Sequence, residues 1–326
     1  MIGSFVKSAA RLTGKTLKIA AIIAGALIAL IVVILITLSL TPAVPNRYEK
    51  TTETGGEIEG QYMKAGTLKV TRRTEPAPKP LKKFEIYYPA ELPESGEKYP
   101  LVLFVNGSGI PASKYKALFR HLASWGFIVA GNEDPSAGNG ASAEQTLRYL
   151  LALNDNPDSV FYGKVDADNI GISGHSQGGA GVLSAITTGE SRALYKTAVA
   201  LSPAHEEAAR ALGWHYDMER VSVPLLMFAG TEGDFETQIV LPFEAMKAMY
   251  DKVSAPKAMA RRTGAEHGET LYSADGYVTA WFMWLLKGDT QAAKAFLYPD
   301  AELLRNALYQ DQQINALYQD QQINLD

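Results

Sequence analysis

From about residue 84 onward, short apolar runs alternate with longer segments whose apolar positions recur with helical spacing. Short continuous apolar runs are typical of strands buried on both faces, and this alternation favours a mostly parallel sheet covered by helices. The pattern therefore predicts an α/β domain. The predicted strands are 66–72, 84–88, 101–105, 127–130, 169–173, 198–201, 225–229 and 258–261. The predicted helices are 113–124, 141–153, 177–187, 243–253 and 276–286.

Two segments do not follow this alternation. Residues 204–223 are long enough to form either a small cap over a pocket or an ordinary crossover helix, and the second interpretation is favoured. The nine residues NALYQDQQI occur at 306–314 and again at 315–323. Two short polar copies are too few for a repeat architecture. We therefore expect a C-terminal extension without a catalytic role, for which a helix is one expected conformation.

The longest apolar stretch, residues 19–40, contains no charged residue. Its length matches the roughly 20 helical residues that cross a bilayer core, so we expect one N-terminal transmembrane helix. Four basic residues before it predict a cytoplasmic N-terminus, a single-pass anchor in the cell membrane and an extracytoplasmic folded domain. The alternative is a cleaved signal peptide and a secreted protein, although the apolar region of such a peptide is shorter.

Composition narrows the classes of protein and site. The chain has 326 residues, 47% of them apolar and 20% charged, as in folded proteins. Its formal charge is −4, and the part after residue 40 carries 27 basic and 35 acidic residues, which disfavours a nucleic-acid partner. The absence of cysteine excludes disulfides, thiolate metal sites and a cysteine nucleophile. No motif indicates a metal or another cofactor.

The strongest chemical motif lies between a predicted strand and a predicted helix. The segment Gly174-His175-Ser176-Gln177-Gly178 has the G-x-S-x-G form and directly follows the apolar run 169–173. In a nucleophile elbow, this sharp turn lifts the serine clear of the sheet, and glycines two residues before and after it avoid collisions. Ser176 is therefore the candidate nucleophile, and Gly174 and Gly178 are the elbow glycines. A glycine-rich structural turn is the alternative interpretation.

A serine hydroxyl needs an imidazole to accept its proton, and the imidazole needs a carboxylate to fix its tautomer. Among the five histidines, His267 follows the last predicted strand in a loop flanked by glycines. The strand at 225–229 ends in a turn with two carboxylates, Glu232 and Asp234. Either carboxylate can accept a hydrogen bond from an imidazole, and both keep the order serine, acid, histidine.

These motifs resemble the α/β-hydrolase superfamily, and more narrowly its branch of cutinase-type polyester hydrolases, chlorophyllases and dienelactone-hydrolase-like proteins. The resemblance covers roughly residues 84–290 and rests further on YPLVLFVNG at 99–107 and HLASWGFIV at 121–129. It implies the α/β-hydrolase fold, with a mostly parallel central sheet flanked by helices. Dienelactone hydrolases use a cysteine nucleophile that this chain lacks, so the similarity to them is one of fold.

The resemblance also implies roles for particular residues. His267 ends a Gly-Ala-x-His segment similar to the catalytic loop of the family. The family places its catalytic aspartate four residues after a glycine that matches Gly230, which favours Asp234 over Glu232. The expected triad is therefore Ser176, Asp234 and His267.

An oxyanion hole requires backbone N–H groups aimed at the tetrahedral intermediate. By the pattern of the family, Gln177 supplies one amide and Ser108 supplies the other. The family more often has His or Pro where Asn106 stands, and polyester hydrolases often have an aromatic residue at the Ser108 position. These departures weaken the expectation of polyester hydrolysis without affecting that of ester hydrolysis. A tight turn without this role is the alternative for the loop.

The sequence predicts a serine hydrolase, a carboxylesterase that cleaves small or accessible esters through an acyl-enzyme and without a cofactor. A polyester hydrolase, a serine peptidase or an acyltransferase would use the same triad, and a non-catalytic binding protein would use the same fold. The expected partners are an ester substrate and, through the N-terminal helix, the membrane. The expected parts are a basic N-terminus (1–18), an anchor (19–40), a linker with an early strand (41–80), the catalytic domain (81–300) and the C-terminal extension (301–326).

Overall fold

The computed structural model describes residues 41–297 and 299–315, and within these ranges nine strands form a single sheet in the order β1-β2-β4-β3-β5-β6-β7-β8-β9. The six central strands, β4, β3, β5, β6, β7 and β8, are parallel to one another. Strands β1, β2 and β9 run antiparallel to their neighbours. The strands are β1 Val70–Pro76, β2 Lys83–Pro89, β3 Tyr99–Val105, β4 Ile128–Asn132, β5 Val165–His175, β6 Tyr195–Leu201, β7 Leu225–Gly230, β8 Lys257–Arg262 and β9 Tyr309–Ile314.

Helices cover both faces of this sheet. The α-helices are α1 Glu57–Met63, α2 Lys116–Ser124, α3 Ala141–Asp155, α4 Gln177–Thr187, α5 Glu206–Ala211, α6 Phe243–Lys252, α7 Thr270–Ser273, α8 Asp275–Lys287, α9 Thr290–Ala293 and α10 Glu302–Arg305. The side chains of β3 alternate between two apolar clusters: Leu103 packs with residues of α3, α4 and α6, while Phe104 packs with residues of α2 and α8. All seven residues of β3 are buried, which explains why this strand is a continuous apolar run.

The predicted α/β architecture with a mostly parallel sheet is confirmed. Each strand predicted between residues 66 and 261 has a counterpart in the sheet, and α4 begins and ends at the predicted residues. Residues 204–223 contain only the short helix α5 and one 3₁₀ turn, Met218–Arg220, as expected for a crossover connection.

Two features differ from the expectations, and a third expectation concerns residues that the structure does not describe. The presumed linker contains a helix, α1, which packs against α8 through the buried side chains of Ile58 and Tyr62. The first copy of the repeat is not helical, because it pairs with the otherwise unpaired edge of β8 as strand β9. The predicted anchor, residues 19–40, lies outside the described residues. Among the residues that are described, no helix is both long and apolar enough to span a membrane.

Candidate active site

Ser176 stands between the end of β5 and the start of α4, as a nucleophile elbow requires. Its backbone has φ 59° and ψ −123°, a combination that non-glycine residues rarely adopt. The Ser176 amide donates a hydrogen bond of 2.9 Å to the Leu201 carbonyl at the end of β6. The chain therefore holds this serine in a strained conformation at the carboxyl ends of the central strands, where open α/β sheets build their sites.

Gly174 and Gly178 permit this turn for steric reasons. A Cβ atom on Gly178 would lie 2.1 Å from the carbonyl oxygen of Val105, and one on Gly174 would lie 2.5 Å from the carbonyl oxygen of Gly178. Backbone atoms cannot move aside as a flexible side chain can. Any side chain at either position would therefore displace α4 from β3 and β5.

The structure brings His267 next to this elbow. The ring of His175, which directly precedes Ser176, lies 4.6 Å from the His267 ring, measured between centroids. The Nδ1 atom of His267 is 2.5 Å from Oε2 of Glu236, so the imidazole donates a hydrogen bond from Nδ1 to a carboxylate. This bond fixes the tautomer that leaves Nε2 free to accept a proton.

Glu236 is fully buried and accepts three hydrogen bonds. Besides His267, the Gly230 amide donates to Oε1 over 2.8 Å, and the Ser202 hydroxyl donates to the same atom over 2.7 Å. Burial on its own raises the pKa of the Glu236 carboxyl, but the three donors hold that pKa below its ordinary value. A buried, ionised carboxylate is the group that stabilises an imidazolium formed beside it.

The expectation that Asp234 bonds to His267 is corrected by this geometry. Asp234 is exposed and immediately precedes a π-helical turn, Phe235–Val240, and Glu232 is exposed as well. Within this wide turn the side chain of Glu236 points into the protein. It is buried, as is that of Val240, four residues further along the chain. In the sequence, Glu236 stands four residues before Val240, a spacing that places both on one face of a helix.

His175 contributes to the same loop. Its Nε2–H donates a hydrogen bond of 2.7 Å to the backbone carbonyl of His267. Burial, assisted by the neighbouring His267, lowers the pKa of His175 to about 4. His175 is therefore neutral at physiological pH and fixes the backbone of His267.

This lowered pKa predicts how stability depends on pH. The unfolded chain protonates His175 near pH 6.5 and the folded chain near pH 4, so its contribution is complete above pH 6.5 and is lost as the pH falls towards 4. The full loss is about 3 kcal/mol. We expect the Tm of His175→Gln, measured from pH 7.5 to pH 4, to fall less steeply than that of the wild type. Equal slopes would contradict the buried neutral histidine, and the exposed His215→Gln variant is the matched control.

The predicted oxyanion loop lies beside the elbow. The hydroxyl of Ser108 donates to the side-chain oxygen of Gln177 over 3.3 Å, so the structure brings the two residues together. Gln177 is the first residue of α4, and the first amides of a helix have no partner within it. The amide of the buried Asn106 donates to the carbonyls of Asn132 and Asp134 at 2.7 and 2.9 Å. These bonds fix the start of the loop.

One exposed aromatic side chain borders the site. The Phe235 ring meets the His267 ring edge-on, with centroids 4.9 Å apart, and 55% of Phe235 is exposed. Ile239, one turn further along, is 57% exposed. Trp281 is fully buried in the core and contributes nothing to this surface. The apolar surface next to the imidazole therefore comes from the π-helical turn.

A serine at a strained strand-to-helix turn, an imidazole beside it and a buried carboxylate on that imidazole, at the ends of parallel strands, define an α/β-hydrolase. Residues 63–313 match the model of the PET hydrolase-like family, which covers most of the chain. The chain therefore belongs to the PET hydrolase-like family.

Two relatives agree with this membership. The chain is 26% identical over 226 residues to cutinase est2 of Thermobifida alba, an alignment that covers 66% of this chain and 67% of the cutinase. It is 28% identical over 160 residues to the platelet-activating factor acetylhydrolase of Cavia porcellus. This alignment covers 34% of this chain and 36% of that protein. At the level of the family, the chain is a serine hydrolase that acts on esters.

Proposed function

We propose that the protein is a carboxylesterase that cleaves small or accessible esters with Ser176 as nucleophile, His267 as base and Glu236 as acid. The observation that carries this proposal is the hydrogen bond from His267 Nδ1 to the buried Glu236, beside the strained elbow. Membership of the family supports the class of reaction.

In the proposed first step, His267 Nε2 takes the proton of the Ser176 hydroxyl while its oxygen attacks the ester carbonyl. The amides of Gln177 and Ser108 donate to the resulting oxyanion, and Glu236 stabilises the imidazolium. The C–O bond to the alcohol then breaks, the imidazolium protonates the departing alcohol, and an acyl-enzyme remains. Water, deprotonated by His267, hydrolyses this acyl-enzyme and restores the serine.

A second candidate is hydrolysis of polyesters, which the family match favours. The exposed Phe235 and Ile239 provide apolar surface next to the imidazole, which suits a substrate that cannot enter a closed pocket. Ser108 stands where polyester hydrolases often have an aromatic residue, so we rank this candidate second. A serine peptidase or an acyltransferase would require the same triad.

For location, we propose that residues 19–40 anchor the protein as a single membrane span, with the catalytic domain outside the cytoplasm. The uncharged length of this stretch and the four basic residues before it support that orientation. Secretion after cleavage remains the alternative. Edman sequencing or intact-mass analysis of the mature protein distinguishes the two.

The function is tested by turnover of p-nitrophenyl acetate, butyrate and decanoate, together with labelling by a fluorophosphonate probe. We expect the acetate or butyrate ester to have the highest kcat/KM, by roughly tenfold or more over the decanoate, and the probe to be mapped to the peptide that contains Ser176. Polyester film, incubated in parallel, tests the second candidate through release of soluble acids.

Each outcome has a distinct meaning. Preference for decanoate would refute the restriction to small esters while leaving the serine mechanism in place. Film hydrolysis with weak activity on all soluble esters would favour the polyester candidate. A folded protein that neither turns over any ester nor takes up the probe would indicate that the fold serves binding alone.

A further inference from the structure

The tandem repeat has no part in the proposed esterase reaction, yet its first copy is an ordered piece of the fold. Residues 306–314 and 315–323 are identical in sequence. The first copy supplies the turn after α10 and the whole of strand β9, which closes the sheet against β8. The contacts that hold this copy therefore describe what the nonapeptide sequence recognises.

The buried end of the first copy is held by Glu59 of helix α1. Its carboxylate is fully buried and accepts hydrogen bonds from the Asn306 amide over 2.8 Å and from the Tyr309 hydroxyl over 2.6 Å. The Tyr309 ring lies against the guanidinium of Arg262, 5.0 Å from ring centroid to Cζ. Both receiving groups belong to parts of the chain outside the repeat.

The more exposed end of the first copy runs along the edge of β8. Tyr309 pairs with Arg262, and Gln313 pairs with Met259. The Asp311 carboxylate accepts a hydrogen bond from Arg261 over 2.7 Å. The side chain of Gln312 donates back to the carbonyls of Asn306 and Tyr309, so this contact is internal to the nonapeptide.

We propose that the edge of β8, together with Glu59 and the two arginines, is a binding site for the sequence NALYQDQQI, and that the second copy is a second ligand for it within the same chain. Asn315, Tyr318 and Asp320 stand in the second copy where Asn306, Tyr309 and Asp311 stand in the first. The second copy carries every side chain that the site recognises, so it occupies the site when the first copy is damaged or displaced.

The two copies differ only in their connection to the rest of the chain. The first copy follows α10 directly, whereas binding of the second copy leaves nine additional residues in the connecting loop. Closing a longer loop costs conformational entropy, but this cost grows slowly with length. The first copy therefore occupies the site in the intact protein. The second copy of the same chain outcompetes that of a partner molecule because its effective concentration is high.

The site also supports the catalytic loop. β8 ends at Arg262, and five residues further along the chain stands His267. The amide of Thr263, the first residue of the connecting loop, donates to the carbonyl of Leu308 in the first copy over 3.0 Å. Whichever copy occupies the site keeps the beginning of this loop in place.

The test compares Tyr309→Ala, Tyr318→Ala and the double variant in the full chain, by thermal unfolding. We expect Tyr318→Ala to leave the Tm unchanged and the double variant to lower it by roughly 6 to 15 °C, as for loss of a large buried side chain. Tyr309→Ala alone should lower the Tm by less than half of that loss, because the second copy takes over. A Tyr309→Ala variant as unstable as the double variant would overturn the proposal.

A disulfide trap gives a direct readout because the chain has no native cysteine. Ala258 pairs with Ile314 in the first copy, and Ile323 is the equivalent residue of the second. One variant carries Ala258→Cys and Ile314→Cys, and the other carries Ala258→Cys and Ile323→Cys. With Tyr309 intact, we expect the 258–314 link to form and the 258–323 link to be rare, and in Tyr309→Ala we expect the 258–323 link to form within one monomer. The absence of the 258–323 link in Tyr309→Ala, or its formation only between two molecules, refutes exchange within the chain.

Discussion

Replacing Glu236 by glutamine should lower kcat for a p-nitrophenyl ester by roughly 10⁴-fold, the loss seen when the acid of such a triad becomes an amide. The carboxylate accepts from His267 Nδ1 through Oε2, and from the Gly230 amide through Oε1. Because the Gly230 amide needs an acceptor, the glutamine oxygen takes the Oε1 position and its NH2 group, which donates, faces the imidazole. The imidazole must then carry its proton on Nε2, where it can no longer accept the proton of Ser176. The defect should appear mainly in kcat, measured by steady-state kinetics, since no substrate contact is removed.

The matched control is Asp234→Asn, which makes the same change of carboxylate to amide two residues away. Asp234 is exposed, and the His267 imidazole bonds to Glu236 instead, so we expect kcat within about threefold of the wild type. The unfolding midpoint of Glu236→Gln must be recorded alongside, because the Gly230 amide and the Ser202 hydroxyl also bond to this carboxylate. A large loss in Asp234→Asn with near-normal Glu236→Gln would reinstate Asp234 as the triad acid.

The central sheet could be predicted because its strands are buried on both faces. A strand such as β3, with seven buried residues, leaves a short continuous apolar run in the sequence. The elbow was also predictable, since the steric demand for Gly174 and Gly178 is local and appears directly as a sequence motif.

The carboxylate that bonds to His267 was not predictable in this way. Counting residues after Gly230 assumes an ordinary turn, and the π-helical turn Phe235–Val240 changes which carboxylate faces inward. The donors that stabilise Glu236 come from distant segments: Ser202 follows β6, and His267 follows β8. Such a constellation exists only after the strands have assembled.

The edges of the fold were mispredicted for a related reason. Helix α1 and strand β9 are rich in polar residues. Their patterns of apolar and polar residues are those of a linker and of a C-terminal tail. They are fixed by contacts across the chain, above all those of the buried Glu59 with Asn306 and Tyr309. Buried polar side chains that form hydrogen bonds with one another do not produce a periodic pattern of apolar residues. The sequence therefore gives no sign that these segments are packed.

The other large effect concerns whether Ser176 and His267 act as one unit. Ser176→Ala should lower kcat by roughly 10⁵- to 10⁶-fold and abolish fluorophosphonate labelling, while His267→Ala should lower kcat by a similar factor. Because neither residue contributes to the proton transfer when the other is absent, the double variant should be no slower than either single variant. Residual hydrolysis, supported by the amides of Gln177 and Ser108, should remain above the rate in water.

The double variant distinguishes a shared mechanism from independent contributions. If the losses of Ser176→Ala and His267→Ala multiply, each residue acts alone and the proposed proton transfer between them is wrong. Residual activity is measured with enzyme in excess over substrate, so that traces of contaminating esterase are recognised by their sensitivity to the probe. If Glu236→Gln is combined with His267→Ala and lowers kcat no further, the carboxylate acts only through the histidine, as expected from its hydrogen bond to the imidazole.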